Sequence, residues 1–121
     1  MNTTSHPDDS CHVLFLCSRN RLRSPTAEIV FSKIPGLRTA SAGLAPDAET
    51  PLDADLLEWA DVVCVMEKAH RKKLQSQFGK QLGSRRVICL DIPDDYDFMS
   101  PELVDLLQER LPVERLLRRV R

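Results

Sequence analysis

Short apolar runs alternate with amphipathic segments along this chain of 121 residues. Residues 12–16, 62–66 and 87–90 are apolar runs of strand length, and residues 37–42 form a weaker one. Between and after these runs, apolar residues recur every three or four positions, as they do along one face of a helix. This alternation predicts a single doubly wound α/β domain, in which a four-stranded parallel sheet carries helices on both faces.

Serine, threonine and proline indicate where the helices begin. Ser24 followed by Pro25 predicts a helix with Ser24 as its N-cap. A second helix is expected from Thr50 to about Ala60, and Ser100 followed by proline predicts the last one. The third helix is predicted between them by apolar or aromatic residues spaced four apart: His70, Leu74, Phe78 and Leu82.

The amino-terminal residues differ from the rest of the chain. Residues 1–10 are polar and acidic, so they are predicted to form a disordered tail ahead of a folded domain over residues 11–121. They lack the apolar stretch of a secretory signal peptide, and no run in the chain reaches membrane-spanning length. The sequence therefore predicts a cytoplasmic protein with no membrane partner.

Charge and cysteine content support the same picture. The formal charge is −1, from 17 basic and 18 acidic side chains, and this balance argues against a nucleic-acid partner bound by bulk electrostatics. Two of the four cysteines lie inside predicted buried strands, where a free thiol behaves as a small apolar side chain. Free cysteines in a reducing compartment are therefore expected rather than disulfides. The cysteines are Cys11, Cys17, Cys64 and Cys89.

One loop combines the residues that covalent phosphate chemistry requires. Cys17 ends the first predicted strand, five residues follow, and Arg23-Ser24-Pro25 opens a helix. A short loop entering a helix N-terminus directs backbone N–H groups inward and forms an anion site, which also favours the cysteine thiolate. The arginine adds a planar fork for two phosphate oxygens, and Ser24 can donate its hydroxyl to the sulfur. The alternative is a buried structural cysteine beside solvated arginines.

The segment VLFLCSRNRLRSPTAE resembles the opening of low-molecular-weight protein tyrosine phosphatases and their arsenate-reductase relatives. Weaker similarities extend over about residues 12–111, including the serine of residues 39–43 and the acidic residues of 92–96. The resemblance implies Cys17 as nucleophile, Arg23 as the phosphate-binding arginine and Asp94 as general acid, with Ser41 bonded to Asn20. The further residues implied at the site are Ser18, Arg19, Asn20, Arg21, Leu22, Ser24 and Tyr96 around the substrate, and Asp95 in support.

The chain also departs from this family's pattern. Arg19 stands where the family usually has glycine, and Leu22 stands where many members have a second, redox-active cysteine. Residues 44–61 are too few for the aromatic loop that lines the family's substrate cleft. Asp95 replaces the proline that normally follows the acid. We therefore interpret the chain as a shortened member of the family.

Two features have alternative interpretations. The carboxylates of residues 91–97 either supply the general acid, with Asp94 preferred to Asp95, or form an acidic turn before a helix. A metal site there lacks the glycine and the closing glutamate of a calcium loop. Arg19 and Arg21 either are only solvated, or attract a substrate that carries more than one phosphate or acidic neighbours.

The function implied is two-step hydrolysis of a phosphomonoester through a phosphocysteine, without metal or organic cofactor. The substrate is expected to be a phosphorylated protein, with phosphotyrosine first, or a small phosphomonoester. Two alternatives belong to other classes. Arsenate reduction requires further cysteines that reach Cys17, and a non-catalytic phosphate-binding module requires only the loop.

Overall fold

The computed structural model describes residues 9–118, with the elements in strict alternation until the last two helices. Most of the predicted tail lies outside the described residues, but Ser10, at its end, is already buried. The strands are β1 (Cys11–Cys17), β2 (Leu37–Gly43), β3 (Val62–Val65) and β4 (Arg86–Cys89). The helices are α1 (Arg23–Phe31), α2 (Ala54–Trp59), α3 (Lys68–Leu82), α4 (Pro101–Arg110) and α5 (Val113–Arg118).

The strands form one parallel sheet in the order β2-β1-β3-β4, as predicted. β1 lies inside the sheet, and each of its residues is buried. It pairs with β2 on one side and β3 on the other, so that Phe15 lies between Ser41 and Cys64. A strand covered on both faces is apolar throughout, which explains the unbroken run of β1.

Helices cover both faces of the sheet, which confirms the predicted doubly wound architecture. On one face, Phe15 packs in a cluster with Phe31 of α1, Leu107 of α4 and Leu116 of α5. On the other face, the alternate strand residues pack against α2 and α3. That cluster includes Leu14, Leu16, Leu57, Val63, Leu74 and Leu82. The strand residues alternate between the clusters because successive side chains point to opposite faces.

Two helix starts differ from the predicted ones. α1 begins at Arg23, and Ser24 does not act as its N-cap because its hydroxyl is bonded to the Cys17 sulfur instead. α2 begins at Ala54 rather than near Thr50, with Asp53 as its N-cap. The residues before it are held in extended form by a bridge between Pro51 and Gly43. Tertiary contacts therefore override the local helix-start signals at both places.

The strand order determines where a ligand can bind. From β1 the chain proceeds to β2 on one side, and β3 then begins on the other side of β1. In open sheets of this kind the crevice lies outside the carboxyl ends of the strands where the order reverses. Here those ends are Cys17 of β1 and Val65 of β3. Among residues 9–118, no helix is both long and apolar enough to cross a membrane.

Candidate active site

A cavity of about 620 Å³ opens at the carboxyl end of β1, where the chain turns into α1. Most of its lining comes from residues 17–23, here called the phosphate loop. Asp94 joins them from the segment that follows β4. The lining residues are Cys17, Ser18, Arg19, Arg21, Leu22, Arg23 and Asp94. The fold thus brings together seven side chains that the sequence predicted for one site.

The sulfur of Cys17 lies among hydrogen-bond donors. Its Sγ is 2.9 Å from Ser24 Oγ, and the backbone N–H of Asn20 donates to it across 3.3 Å. The side-chain amide of Asn20 donates to the same Ser24 oxygen at 2.9 Å. Because an amide nitrogen can only donate, Ser24 accepts this bond, and its own hydrogen is available to a Cys17 thiolate, which can only accept. This arrangement stabilises negative charge on Cys17.

Asn20 adopts a backbone conformation that few residue types tolerate. Its φ is +60°, in the left-handed region where asparagine is enriched. The resulting turn brings its backbone N–H to Cys17 and its side chain to Ser24. The side chain is buried, so both bonds are shielded from water. One asparagine therefore shapes the loop and positions the serine.

The segment after β2 braces the phosphate loop from outside. Leu44 and Ala45 donate their N–H groups to the carbonyls of Cys17 and Ser18, at 3.0 and 2.8 Å. Glu49 donates in the same way to the carbonyl of Arg19 at 3.1 Å. Across a planar trans peptide the C=O and N–H point in opposite directions. Carbonyls held outside the loop therefore direct the following N–H groups inward, as an anion site requires.

Arg23 is fixed in place by two acceptors from other parts of the chain. Its Nη1 donates to the Glu67 carboxylate and, at 2.7 Å, to the carbonyl of Ile92. The side chain is only 4% exposed. Its Nε lies 3.7 Å from Asp94 Oδ1. With Nη1 occupied, the Nε–Nη2 edge can hold two phosphate oxygens, and Asp94 lies next to that edge.

His70 supports the loop from α3. The backbone N–H of Glu67 donates to His70 Nδ1 at 3.1 Å, so the hydrogen of the neutral ring is on Nε2. Nε2 then donates to Ser18 Oγ, 3.1 Å away. Burial lowers the pKa of His70, and the positive charge of Arg23 lowers it further. The ring is therefore held neutral in the tautomer that bonds the phosphate loop.

Three predicted site residues have other surroundings than expected. Ser41 donates to the carboxylate of Glu28, whereas the side chain of Asn20 donates to Ser24. Tyr96 packs against the core cluster that contains Phe15, and it is not part of the cavity lining. Asp94 and Asp95 are both exposed, but only Asp94 belongs to the cavity lining.

Two residues that hold the site were given no role from the sequence. Glu67 follows a predicted buried strand, and His70 is one of the residues whose spacing predicts the third helix, so neither position by itself indicates a role at the site. Their separation of three residues at the start of α3 places both against the phosphate loop. An acidic residue at a strand end followed by histidine one helical turn later is a weak signal. Its meaning depends on Arg23 lying opposite.

Within residues 9–118, no three histidine, cysteine or acidic side chains converge so that they could hold a metal ion. The carboxylates of residues 91–97 instead have different surroundings. Asp94 faces Arg23, whereas Asp91 lies near the Cys89 thiol at 3.7 Å. The donors gathered around the cavity are cationic and amide groups, which suit an anion.

Comparisons with known proteins give a consistent result. No family model matches the chain. A curated relative, the protein-arginine-phosphatase of Bacillus subtilis (strain 168), is 27% identical over 95 aligned residues, which cover 56% of this chain and 63% of that protein. The chain thus spans less than two thirds of the length of this relative.

Solved structures extend the similarity over almost the whole chain. A crystal structure of a YwlE mutant from Bacillus subtilis is 26% identical, covers 92% of this chain and 96% of its own, and superimposes with a TM-score of 0.59. The tyrosine phosphatase Wzb from Escherichia coli K30, in complex with phosphate, is 20% identical with a TM-score of 0.68 over 88% of this chain and 96% of its own. A low-molecular-weight protein tyrosine phosphatase from T. tengcongensis is 22% identical, with a TM-score of 0.64 over 92% and 97%.

The fold, the phosphate loop and the sequence similarity agree with one another. The last two structures support the fold alone, whereas the Bacillus proteins add similarity of sequence. By these observations the chain resembles the arginine phosphatases of Bacillus in fold and sequence, and low-molecular-weight protein tyrosine phosphatases in fold.

Proposed function

We propose that this protein is a cysteine-dependent phosphatase that hydrolyses phosphomonoesters through a phosphocysteine. The observation that carries the proposal is the environment of Cys17, whose sulfur has Ser24 Oγ at 2.9 Å and the Asn20 N–H at 3.3 Å. Neither contact would be needed by a cysteine that merely fills the core. Arg23 lines the same cavity with one edge of its guanidinium available.

In the first step, the Cys17 thiolate attacks phosphorus in line with the leaving group. The sulfur–phosphorus bond forms as the phosphorus–oxygen bond of the ester breaks. Inward N–H groups of the phosphate loop and Arg23 hold the equatorial oxygens, where charge is spread in the transition state. Asp94, beside Arg23, donates its proton to the departing oxygen.

In the second step, Asp94 acts as a base and takes a proton from water. The water oxygen bonds to phosphorus, and the sulfur–phosphorus bond breaks to return the thiolate and inorganic phosphate. Ser24 supports this step because its hydroxyl, 2.9 Å from Sγ, can donate to the thiolate as it leaves. The proposal uses no metal and no organic cofactor, and it requires a reducing compartment such as the cytoplasm to keep Cys17 reduced.

Arsenate reduction is the weaker proposal because the other cysteines are badly placed to form a disulfide with Cys17. Cys64 lies one strand over and two residues back on the same face, about 8 Å away from Cα to Cα by strand geometry. A disulfide needs less than about 7 Å. Cys89 packs on the opposite face, and Cys11 is at the other end of β1. Burial also raises the pKa of the Cys64 thiol.

The substrate proposed first is a phosphorylated protein carrying phosphotyrosine. Phosphoarginine is a second candidate, favoured by the similarity to a protein-arginine-phosphatase. The two differ in the leaving group, a phenol oxygen or a guanidine nitrogen, and both need the same thiolate and phosphate cradle. A small phosphomonoester remains the third possibility.

The test compares the wild-type protein with Cys17→Ser. We expect the wild type to hydrolyse nitrophenyl phosphate, and we expect the variant to fold, bind vanadate and show no turnover, because serine lacks the thiolate. Arg23→Lys should also lose most activity, since lysine is a point charge without the bidentate fork. Turnover retained by Cys17→Ser would refute the mechanism. Trapping with Cys17→Ser in a lysate then separates phosphotyrosine from phosphoarginine proteins.

A further inference from the structure

The cavity contains more positive charge than the phosphate chemistry uses. Three arginines line it together with one carboxylate, that of Asp94. The proposed reaction assigns the equatorial phosphate oxygens to backbone N–H groups and to Arg23. Arg19 and Arg21 lie in the same lining without a part in that task. Two guanidinium groups therefore remain beside the site of the reacting phosphate.

These two arginines form long ion pairs with acidic residues of the segment that braces the phosphate loop, residues 44–49. Arg19 Nη1 lies 3.7 Å from Asp47 Oδ2, and Arg21 Nε lies 3.6 Å from Glu49 Oε2. All four side chains are more than half exposed. Ion pairs this exposed are weak, and a guanidinium carries five N–H donors. Each arginine can thus exchange its weak pair for a bond to a further anion.

The backbone determines where the two charges stand. Glu49 bonds the carbonyl of Arg19, and Ala45 bonds that of Ser18. The segment that carries Asp47 and Glu49 is therefore attached to the phosphate loop at Ser18 and at Arg19 itself. Both guanidiniums are kept at the rim of the cavity, within one or two residues of the N–H groups that would surround the phosphate.

We propose that Arg19 and Arg21 select phosphomonoesters that carry a second anionic group next to the reacting phosphate. This inference rests on the proposed function and names its substrate class. A second phosphate or a flanking carboxylate would replace the weak pairs with Asp47 and Glu49 by charge-assisted bonds. A substrate flanked by basic residues would meet like charges at the same rim and bind less well.

The test uses matched substrate pairs under identical conditions. One pair consists of two phosphotyrosine peptides that differ only in flanking glutamates against alanines. The other is a sugar bisphosphate against the matching monophosphate. At low salt we expect kcat/KM to be higher for the more anionic member, by about fivefold for each arginine engaged. The preference should nearly vanish near 1 M salt, where the screening length is about 3 Å.

Variants connect the preference to the two arginines. In the double variant Arg19→Gln, Arg21→Gln, the two members of each substrate pair should have kcat/KM values that differ by no more than about twofold. Arg86→Gln removes the same charge from the exposed amino end of β4 and should leave the ratio unchanged. Asp47→Asn should raise the ratio, because it frees Arg19 from its partner.

A preference within the peptide pair would show that protein substrates supply the second anionic group. A preference within the bisphosphate pair would show that small molecules supply it. Equal kcat/KM within both pairs, or a preference that survives loss of both arginines, would overturn the proposal. If the wild type hydrolyses nothing, the proposed function fails by itself. The Kd values of Cys17→Ser for the two peptides then test the arginines independently of turnover.

Discussion

The chemistry of Cys17 depends on residues only three and seven positions further along the chain. Asn20 and Ser24 form a closed set with the sulfur, since the asparagine amide donates to the serine and both residues approach Sγ. None of these bonds uses a formally charged donor. The full positive charge is supplied by Arg23, which is oriented by direct hydrogen bonds to Glu67 and Ile92, residues that are distant from it in sequence.

Asp94 and Asp95 can be distinguished by the leaving group. Protonation matters most for a poor leaving group, such as an alkyl oxygen, and least for nitrophenol. We expect Asp94→Asn to lose about 10²–10⁴-fold on alkyl phosphates and much less on nitrophenyl phosphate. Asp95→Asn is the control, because Asp95 is the adjacent exposed carboxylate and lies outside the cavity lining. If Asp95→Asn alone shows the pattern in steady-state kinetics, the general acid is Asp95.

His70 should make folding stability depend on pH. Burial and Arg23 lower its pKa in the folded state, and the smaller effect of Lys73 acts the same way, whereas Glu67 and Asp94 oppose it. The unfolded chain therefore takes up the proton first as pH falls. The stability contributed by neutral His70 is complete above the ordinary value of about 6.5, and it is lost as pH falls from there toward the lowered folded value.

The measurement is urea unfolding at pH 7.5 and 5.5 for the wild type and His70→Gln. The wild type should lose more free energy of unfolding over this interval than the variant, because only the wild type carries the imidazole of His70. The other titrating groups are the same in both proteins. Equal losses would show that His70 is not held neutral by its surroundings.

At the scale of elements, the phosphate loop is an assembly of two chain segments. The loop itself is short and continuous, but its carbonyls are held by residues 44–49. Gly43 allows this close approach. A Cβ built on it would lie 2.6 Å from the Ser18 carbonyl oxygen and 2.5 Å from the Ala48 Cβ. Because the Ser18 atom is backbone, it cannot move aside without distorting the loop.

Gly43→Ala should therefore impair both stability and activity. We expect a loss of about 1–3 kcal/mol in the free energy of unfolding, typical of overpacking, with a lower kcat/KM because Ser18 is displaced. Gly79→Ala is the matched control. There the nearest atom is the flexible end of Gln75, and alanine favours the helix. Urea unfolding and nitrophenyl phosphate hydrolysis of the two variants test this. Wild-type stability and activity in Gly43→Ala would contradict the bracing role of residues 44–49.

At the scale of the whole molecule, the sheet keeps the cysteines apart. We predict that mild peroxide inactivates the protein by converting Cys17 to a sulfenic acid, without a disulfide to another cysteine of the described chain. The nearest thiols are beyond bridging distance or on the other face of the sheet. Mass spectrometry should find one added oxygen on the Cys17 peptide, and a thiol should reverse it. A Cys17–Cys64 cross-link would mean that the strands move.

The local sequence pattern predicted the structure correctly where residues close together in the chain determine it. The apolar runs predicted four strands, and Ser100 does cap α4 by accepting from Leu103. The spacing from Cys17 to Arg23 predicted the loop because the turn into a helix is itself a short-range structure. Helix starts at Ser24 and Thr50 were misplaced, since a bond to sulfur and a bridge from Gly43 compete with capping.

The sequence by itself determined the sheet and was sufficient to predict the loop chemistry and the nucleophile, because each depends on periodicity or on residues within about one helical turn. Only the tertiary structure decided which carboxylate stands beside Arg23, what orients that arginine, and that Ser41 bonds Glu28 instead of Asn20. These contacts join residues that are distant in sequence. They depend on strand order and on the packing of α1 and α3 against the sheet, which bring Asp94, Glu67 and His70 to the phosphate loop.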